Sequence, residues 1–292
     1  MNLTIMGYST ALFATWFFID ELGIVFDAGD GLSSGIFQKG RKVKHIFISH
    51  ADRNHLTGLV QFNQLNGHNG SPIIYYPDAC GSFPALQDFT SKFDPRPTAA
   101  DWKPIAFGSQ HAVGKDLIVE AIRNGYVNAP PEVSKSLSYK IYRSKRKLKA
   151  EYAALSGNDI RDLIAAHGND YVTDVVRENV LSYSGDTPVE DYERWNNSNI
   201  LIHEATFLGN DDSLKHASTK NKHSDLSEVM EMLANIKVNK VILSHFSPRY
   251  HQEEIDAEIK RLARHFNVRV PIFRMIPGQI HKNILSENPV FG

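Results

Sequence analysis

The chain has 292 residues, enough for one large domain or two small ones at ~100–200 residues each, and its 42% hydrophobic and 22% charged content suits a globular fold that buries a core without staples. A net charge of −1 excludes a global attraction to nucleic acid or acidic membranes, so any polyanion must be held by local charge. The single cysteine, Cys80, excludes an intrachain disulfide framework. With no apolar stretch of ~18 residues and no signal-peptide pattern at the N-terminus, the sequence reads as cytoplasmic and without a membrane span.

In chain order, Leu3–Met6, Thr15–Ile19 and Gly23–Phe26 are short runs of β-formers and read as a meander of strands. His45–Ile48 reads as a buried strand, residues 56–66 as helix, Pro72–Pro77 as a strand ended by proline, and residues 82–93 as helix. Residues 94–116 are mixed, Leu117–Ile122 is a strand, and residues 136–143 alternate well enough for another. Helical patterns follow around 150–155 and 158–167. Residues 181–183, 200–202 and 240–244 are apolar strands, 224–236 and 252–265 are amphipathic helices, and 268–275 is a last strand. Strands and helices alternate in both halves with no linker between them. The pattern predicts two related halves facing each other in one domain, residues 1–292.

Polar residues recur just past the carboxyl ends of the apolar strands: Asp27, the stretch His50 to His55, Asp186, His203-Glu204 and His245. Loops at strand ends are where α/β proteins build sites, and imidazole with carboxylate is the ligand set of zinc, iron or manganese. His68, His111, His167, His251, His265 and His281 carry no motif and read as surface or structural.

The ordered set resembles the tRNase Z branch of the metallo-β-lactamase superfamily. FDAGDG at 26–31 looks like the family's first motif, with Asp27 as the buried carboxylate that orients the metal loop. SHADRNH at 49–55 stands at the HxHxDH signature, SGDT at 184–187 carries the bridging aspartate as Asp186, and LSHFSPRY at 243–250 supplies His245. HEATF at 203–207 and His223-Ser224 resemble two short motifs that separate tRNase Z from lactamases and glyoxalases. The likeness runs from about residue 2 to about residue 275.

The resemblance implies an α+β fold, a four-layer αββα sandwich of metallo-β-lactamase type. It also implies a metal-dependent phosphodiesterase that trims RNA 3′ ends, acting on a tRNA precursor or a small phosphodiester as a homodimer. One or two divalent ions are expected, zinc or else manganese or iron. The implied ligands are His50, Asp52, Asn54, His55, Asp186 and His245. His50, Asp52 and Asp186 would serve one ion, and His55, Asp186 and His245 the other. His223, steered by Glu204, is the implied general acid for the leaving alkoxide, and Asp52 and Asn54 are the candidate bases.

Three departures shape these expectations. Asp52 stands where the family has a second histidine, and an anionic oxygen there favours manganese or iron over zinc. Asn54 replaces an aspartate with a neutral amide, a weak ligand and a poor base. The ligand histidine that the family carries before the equivalent of Ser136–Tyr139 has no counterpart in residues 123–132, where Tyr126 and Glu132 are the candidates to replace it. Single or partial metal occupancy follows. Two rival readings remain: a hydrolase of a small phosphodiester or ester, and a metal-poor pseudoenzyme that binds RNA or protein. Family members also carry a long basic arm that grips tRNA. None stands out between residues 60 and 120, and the run Lys145–Lys149 is the candidate phosphate contact, with Arg249 reaching the site.

Overall fold

Successive side chains of a strand point to opposite faces, and in this chain both faces are covered. In β2 (Ala14–Ile19), Phe17 and Ile19 enter one core while Trp16 and Phe18 enter another, all fully buried. The structure, a computed structural model, describes residues 2–93, 100–209 and 223–292.

Two sheets face each other. The first has the order β1 (Ile5–Thr10), β2, β3 (Ile24–Phe26), β4 (His45–Phe47), β5 (Gly70–Pro77) and β6 (Ala100–Ile105). The second has the order β13 (Ile272–Arg274), β12 (Val238–Ser244), β11 (Ser198–Glu204), β10 (Thr173–Tyr183), β9 (Leu137–Leu148), β8 (Leu117–Arg123) and β7 (Gln110–Ala112). Phe17, Phe26 and Phe47 of the first sheet meet Tyr139, Ile141, Leu181 and Tyr183 of the second, with Phe26 and Tyr183 ring centroids 5.0 Å apart.

Helices cover the outer faces. On the first sheet lie α1 (Leu32–Ile36), α2 (Arg53–Leu56), α3 (Leu59–Asn66) and α4 (Ser82–Phe93), which bury Leu32, Leu56, Leu59, Phe62 and Phe83 against Trp16, Ile46 and Ile74. After α5 (Gly157–His167) and α6 (Asn169–Val172), the second sheet is covered by α7 (Leu226–Asn235) and α8 (Gln252–His265). These bury Val229, Met230, Leu233, Ile255, Ile259 and Leu262 against Leu201, Val241 and Leu243. Asp225 and Glu228 start α7 with a reciprocal capping box, which satisfies two of its orphan N–H groups. The result is the expected αββα sandwich. No helix among the described residues is long and apolar enough to cross a membrane.

Strands β3 to β6 run parallel, as do β10 to β13, so within each group the carboxyl ends share one edge of the sheet. Those edges carry the polar residues singled out by sequence.

The sequence and the structure differ most between residues 143 and 180. The strand expected over 136–143 continues to Leu148, and β10 begins at Thr173 rather than near residue 181. The outer parts pair from Arg143↔Glu178 to Leu148↔Thr173. This two-stranded arm carries a short 3₁₀ turn at Ala150–Tyr152, then α5 and α6. Residues 174–178 are exposed on both faces, so no alternation marks them as a strand. The excursion thus lies outside residues 60–120, the span in which the family resemblance leads one to expect an arm. Elsewhere α1 and the 3₁₀ helix Phe37–Lys42 had no anticipated counterpart, and the last strand is only Ile272–Arg274. Residues 94–99 of the mixed stretch lie outside the described residues.

Candidate metal centre

Asp27 follows β3 with φ 54°, in the left-handed region, and this turns its carboxylate beneath the loop after β4. It is fully buried and accepts from Ser49 N–H (2.7 Å), Ser49 Oγ–H (2.8 Å) and His55 Nδ1–H (2.8 Å), and from the Tyr183 hydroxyl. Gly185, φ 59°, brings the loop after β10 against this one, since a Cβ there would lie 2.7 Å from Ser49 Cβ. Its left-handed backbone and this close approach both require glycine.

These contacts set the histidine tautomers. An ionised carboxylate only accepts, so Ser49 uses its hydroxyl hydrogen on Asp27 and accepts from His50 Nδ1–H at 2.9 Å. Thr206 Oγ–H likewise donates to Glu204 Oε2 (2.6 Å) and accepts from His245 Nδ1–H (2.9 Å). In their neutral forms His50, His55 and His245 therefore all present an Nε2 lone pair, the arrangement that metal-bound histidines take from their supporting hydrogen bonds.

All three Nε2 atoms converge on one oxygen, Asp186 Oδ2, at 3.6 Å from His50, 3.2 Å from His55 and 3.3 Å from His245. Ligand atoms around a tetrahedral ion with bonds of ~2.0–2.1 Å stand ~3.3–3.4 Å apart. His50 Nε2 and His55 Nε2 are buried without a hydrogen-bond partner. Burial opposes a charge on His55, yet Asp186 and Asp27 raise its pKa well above the usual value, so these carboxylates draw positive charge to this point. Asp186 is held well below the carboxylate range by His245, His55 and His50 against the effect of burial. Donor type, spacing and charge all fit a divalent cation. Among the described residues, two groups offer the ligands, His50/His55/Asp186 and Asp186/His223/His245, with Asp186 in both.

Around this cluster is a cleft of about 350 Å³ lined by Leu12, Asp52, Asn54, Tyr126, Phe207, His223 and Arg249, among others. Glu204 is buried, accepts from the backbone N–H of Thr187 (2.9 Å) and Thr206 (3.1 Å), and takes His223 Nδ1–H at 3.0 Å. Against the opposing effect of burial, Glu204 raises His223 to about 9, so the ring carries its proton at neutral pH. Asp52 caps α2 by position but not by side chain. Its Oδ2 faces His50 Nε2 at 3.5 Å and accepts from the Tyr126 hydroxyl at 2.7 Å. The His50 contact and, after it, the Tyr126 bond hold its pKa at about 2 despite burial. Asn54 Nδ2 stands 3.5 Å from His245 Nε2.

The structure thus brings His50, Asp52, Asn54, His55, Asp186 and His245 together, with the Glu204–His223 pair alongside. The ligand grouping differs from the sequence expectation: among the described residues His55 groups with His50 and Asp186, where Asp52 was expected, and His223, expected only as an acid, joins Asp186 and His245 in place of His55. Tyr126 reaches the centre, whereas Glu132 is exposed and does not line the cleft. Sequence reasoning assigned no part to Ser49, Thr206 or Tyr183. Their only signal was adjacency, since each lies within or just before a motif already quoted.

A helix-covered pair of facing sheets with this cluster at its strand ends defines a metal-dependent hydrolase of the metallo-β-lactamase fold. Solved structures share that fold at low identity. A metallo-β-lactamase fold protein, YhfI, from Bacillus subtilis aligns with TM-score 0.64 and 11% identity over 96% of this chain and all (100%) of that one. The short form of human tRNase Z aligns with TM-score 0.58 and 15% identity over 96% and 98% of the two chains. In sequence, the chain is 30% identical over 277 residues to a chloroplastic tRNase Z of Arabidopsis thaliana, covering 92% of this chain and 74% of the relative. It is 28% identical over 273 residues to the ribonuclease Z of Methanocaldococcus jannaschii, covering 83% and 82%. No protein-family model matches. The chain belongs to the tRNase Z family.

Proposed function

We propose that the chain is an endoribonuclease of tRNase Z type that cleaves a phosphodiester near the 3′ end of a tRNA precursor, working as one domain over residues 1–292. The Glu204–His223 pair beside the ligand cluster carries this reading, because a leaving alkoxide needs a proton and a buried carboxylate holds the imidazole in its protonated form. An ion held by His50, His55 and Asp186, or by Asp186 with His245 and His223, would supply Lewis acidity and a water that ionises near neutral pH. Zinc suits the imidazole-rich set, and Asp52 extends the choice to manganese or iron.

The chain's own residues do the remaining work. His223 spends Nδ1 on Glu204, which leaves Nε2 to meet the leaving oxygen. Asp52 is the one anionic carboxylate of the loop that opens to the cleft, its side chain 43% exposed, and it is the candidate to orient the attacking water. Asn54 can only position that water, since an amide takes no proton. Arg249 lies over Phe207 and Tyr250, at 5.8 and 5.3 Å from their centroids, where a guanidinium can meet a phosphate or a base.

RNA outside the cleft is assigned to the arm. Lys145, Arg146, Lys147 and Lys149 follow one another along it, although Glu178 pairs with Lys145 and Asp170 with Arg146. The exposed Leu12 and Phe13 at the β1–β2 turn beside the cleft support pairing of two copies.

His223→Ala and Glu204→Ala should each lower turnover of a 3′-extended tRNA transcript by ~10²–10⁴, and Glu204→Ala should do so with bound metal unchanged. Wild-type protein that carries metal but leaves the transcript uncut would reject the reading.

A further inference from the structure

Arg194 stands in the short 3₁₀ helix Tyr192–Trp195 between β10 and β11, and its side chain is only 9% exposed. The guanidinium lies over the Trp195 ring, 4.9 Å from the centroid. Its NH2 group donates to Thr187 Oγ1 (3.2 Å) and Pro188 O (3.5 Å), and its NH1 group to Arg123 O (3.2 Å) and Glu190 Oε1 (3.4 Å). One planar fork thus ties the loop after β10 to the loop after β8, a span that a point-like ammonium would not bridge. Taking a guanidinium out of water is costly, and the half-exposed Glu190 carboxylate repays little of that. What the two loops hold accounts for the placement better than the ion pair does.

Thr187 follows Asp186 and is fully buried. It gives its N–H to Glu204 Oε1 (2.9 Å) and accepts Ser224 Oγ–H on its carbonyl (2.6 Å). Its hydroxyl hydrogen goes to Pro188 O (3.1 Å), so an Oγ1 lone pair faces Arg194. Ser224 in turn follows His223. Thr187 therefore grips both members of the Glu204–His223 pair, one directly and the other through its neighbour. The loop after β8 closes the far side. Tyr126, three residues after Arg123, is 4% exposed, and its ring lies 4.5 Å from that of His50 and 5.0 Å from that of His223. Its N–H donates to Asn124 Oδ1 (3.3 Å), and the buried Asn124 donates to Ser184 O (3.3 Å) in the Asp186 loop.

We infer that Arg194 is a positioning residue for proton delivery: by holding Thr187 and the β8–β9 loop in one frame, it fixes the Glu204–His223 pair in the geometry that the leaving oxygen meets. The inference rests on the proposed role of that pair as proton donor.

The test compares two substrates on the full, metal-loaded chain. Arg194→Met keeps the buried stem and removes the donors. With the 3′-extended tRNA transcript its kcat should fall ~10–100-fold with KM unchanged, because a displaced acid costs rate and not binding. With bis(p-nitrophenyl) phosphate, whose nitrophenolate leaves without a proton, it should match wild type. Arg194→Lys, which reaches only one loop, should recover part of the loss. An equal loss on both substrates, or a loss of bound metal, would make Arg194 merely structural and overturn the inference. A second readout needs no turnover. In chelator-stripped protein the NMR signal of the His223 Nδ1 proton, identified by its absence from His223→Ala, should exchange with water faster in Arg194→Met than in wild type; equal exchange also overturns the inference. If Arg194→Met does not fold, Thr187→Val breaks the same bond from the other side and is read in the same way. An uncut wild-type transcript beside faster exchange in the variant rejects the proposed substrate and leaves the positioning role standing.

Discussion

Asp27→Asn is the sharpest perturbation of the centre, because it changes one buried atom and no ligand. Oδ1 accepts from one donor, Ser49 N–H, and Oδ2 accepts from three: Ser49 Oγ, His55 Nδ1 and the Tyr183 hydroxyl. The asparagine would turn its carbonyl to the three donors and its NH₂ to Ser49 N–H. Two donors then face each other in a fully buried place, at ~1–3 kcal/mol, and three charge-assisted bonds become neutral ones, losing ~0.5–1 kcal/mol each. The sum is a loss of about 2.5–6 kcal/mol in stability, read by urea denaturation of chelator-stripped protein. With the orientation of His55 and, through Ser49, of His50 loosened, affinity for Zn²⁺ should fall ~10–100-fold, read by competition with a chelating dye. A variant that is destabilised but binds Zn²⁺ as tightly as wild type would refute the argument that Asp27 sets the tautomers. One that is neither destabilised nor weaker would refute the hydrogen-bond count.

Asn54→Asp puts a carboxylate where an amide now stands 3.5 Å from His245, and one added charge at that range should tighten metal binding by at least ~10-fold and raise turnover of the transcript; unchanged affinity in a folded variant would show that Asn54 does not limit the centre. His203 is fully buried, donates Nδ1–H to the Glu204 carbonyl at 2.7 Å, and is pushed down to about 4 by burial. It is neutral in the fold, so below pH ~6.5 the unfolded chain takes up its proton first, and stability is lost as pH falls from ~6.5 towards 4, by about 2 kcal/mol at pH 5. In urea melts at pH 8 and pH 5, His203→Gln should lose less stability between the two than wild type; an equal loss would place the acid sensitivity elsewhere.

Much of this centre can be read from the chain because parallel strands end where their apolar runs end. His50, Asp186 and His245 each follow such a run, and the fold carries those ends to one place. What supports them is less legible. Ser49 and Thr206 act through the tautomer they impose on a neighbouring ring, and only the direction of a hydroxyl shows that. Tyr126 and Glu132 were equal candidates by spacing; a phenol packed against His50 and a carboxylate left in solvent are told apart only by the course of the β8–β9 loop. The outer half of β10 was missed for the opposite reason. A strand that buries neither face leaves no hydrophobic period, whereas Phe17 and Phe18, inside two cores, announce β2 at once.

The arm has a consequence for how the molecule opens. Among the described residues, its two strands have only each other as ladder partners beyond Arg143 and Glu178, α5 buries no side chain, and a register shift between Asn179 and Leu181 marks its root. Little of the apolar area that holds the sandwich together is shared with it. The arm is therefore a separate cooperative unit, able to fray and re-form at a free energy well below that of global unfolding. Its shape and charge can drift through mutation without taxing the histidines on Asp186, so reach towards a large substrate and chemistry at the cleft are free to evolve at different rates.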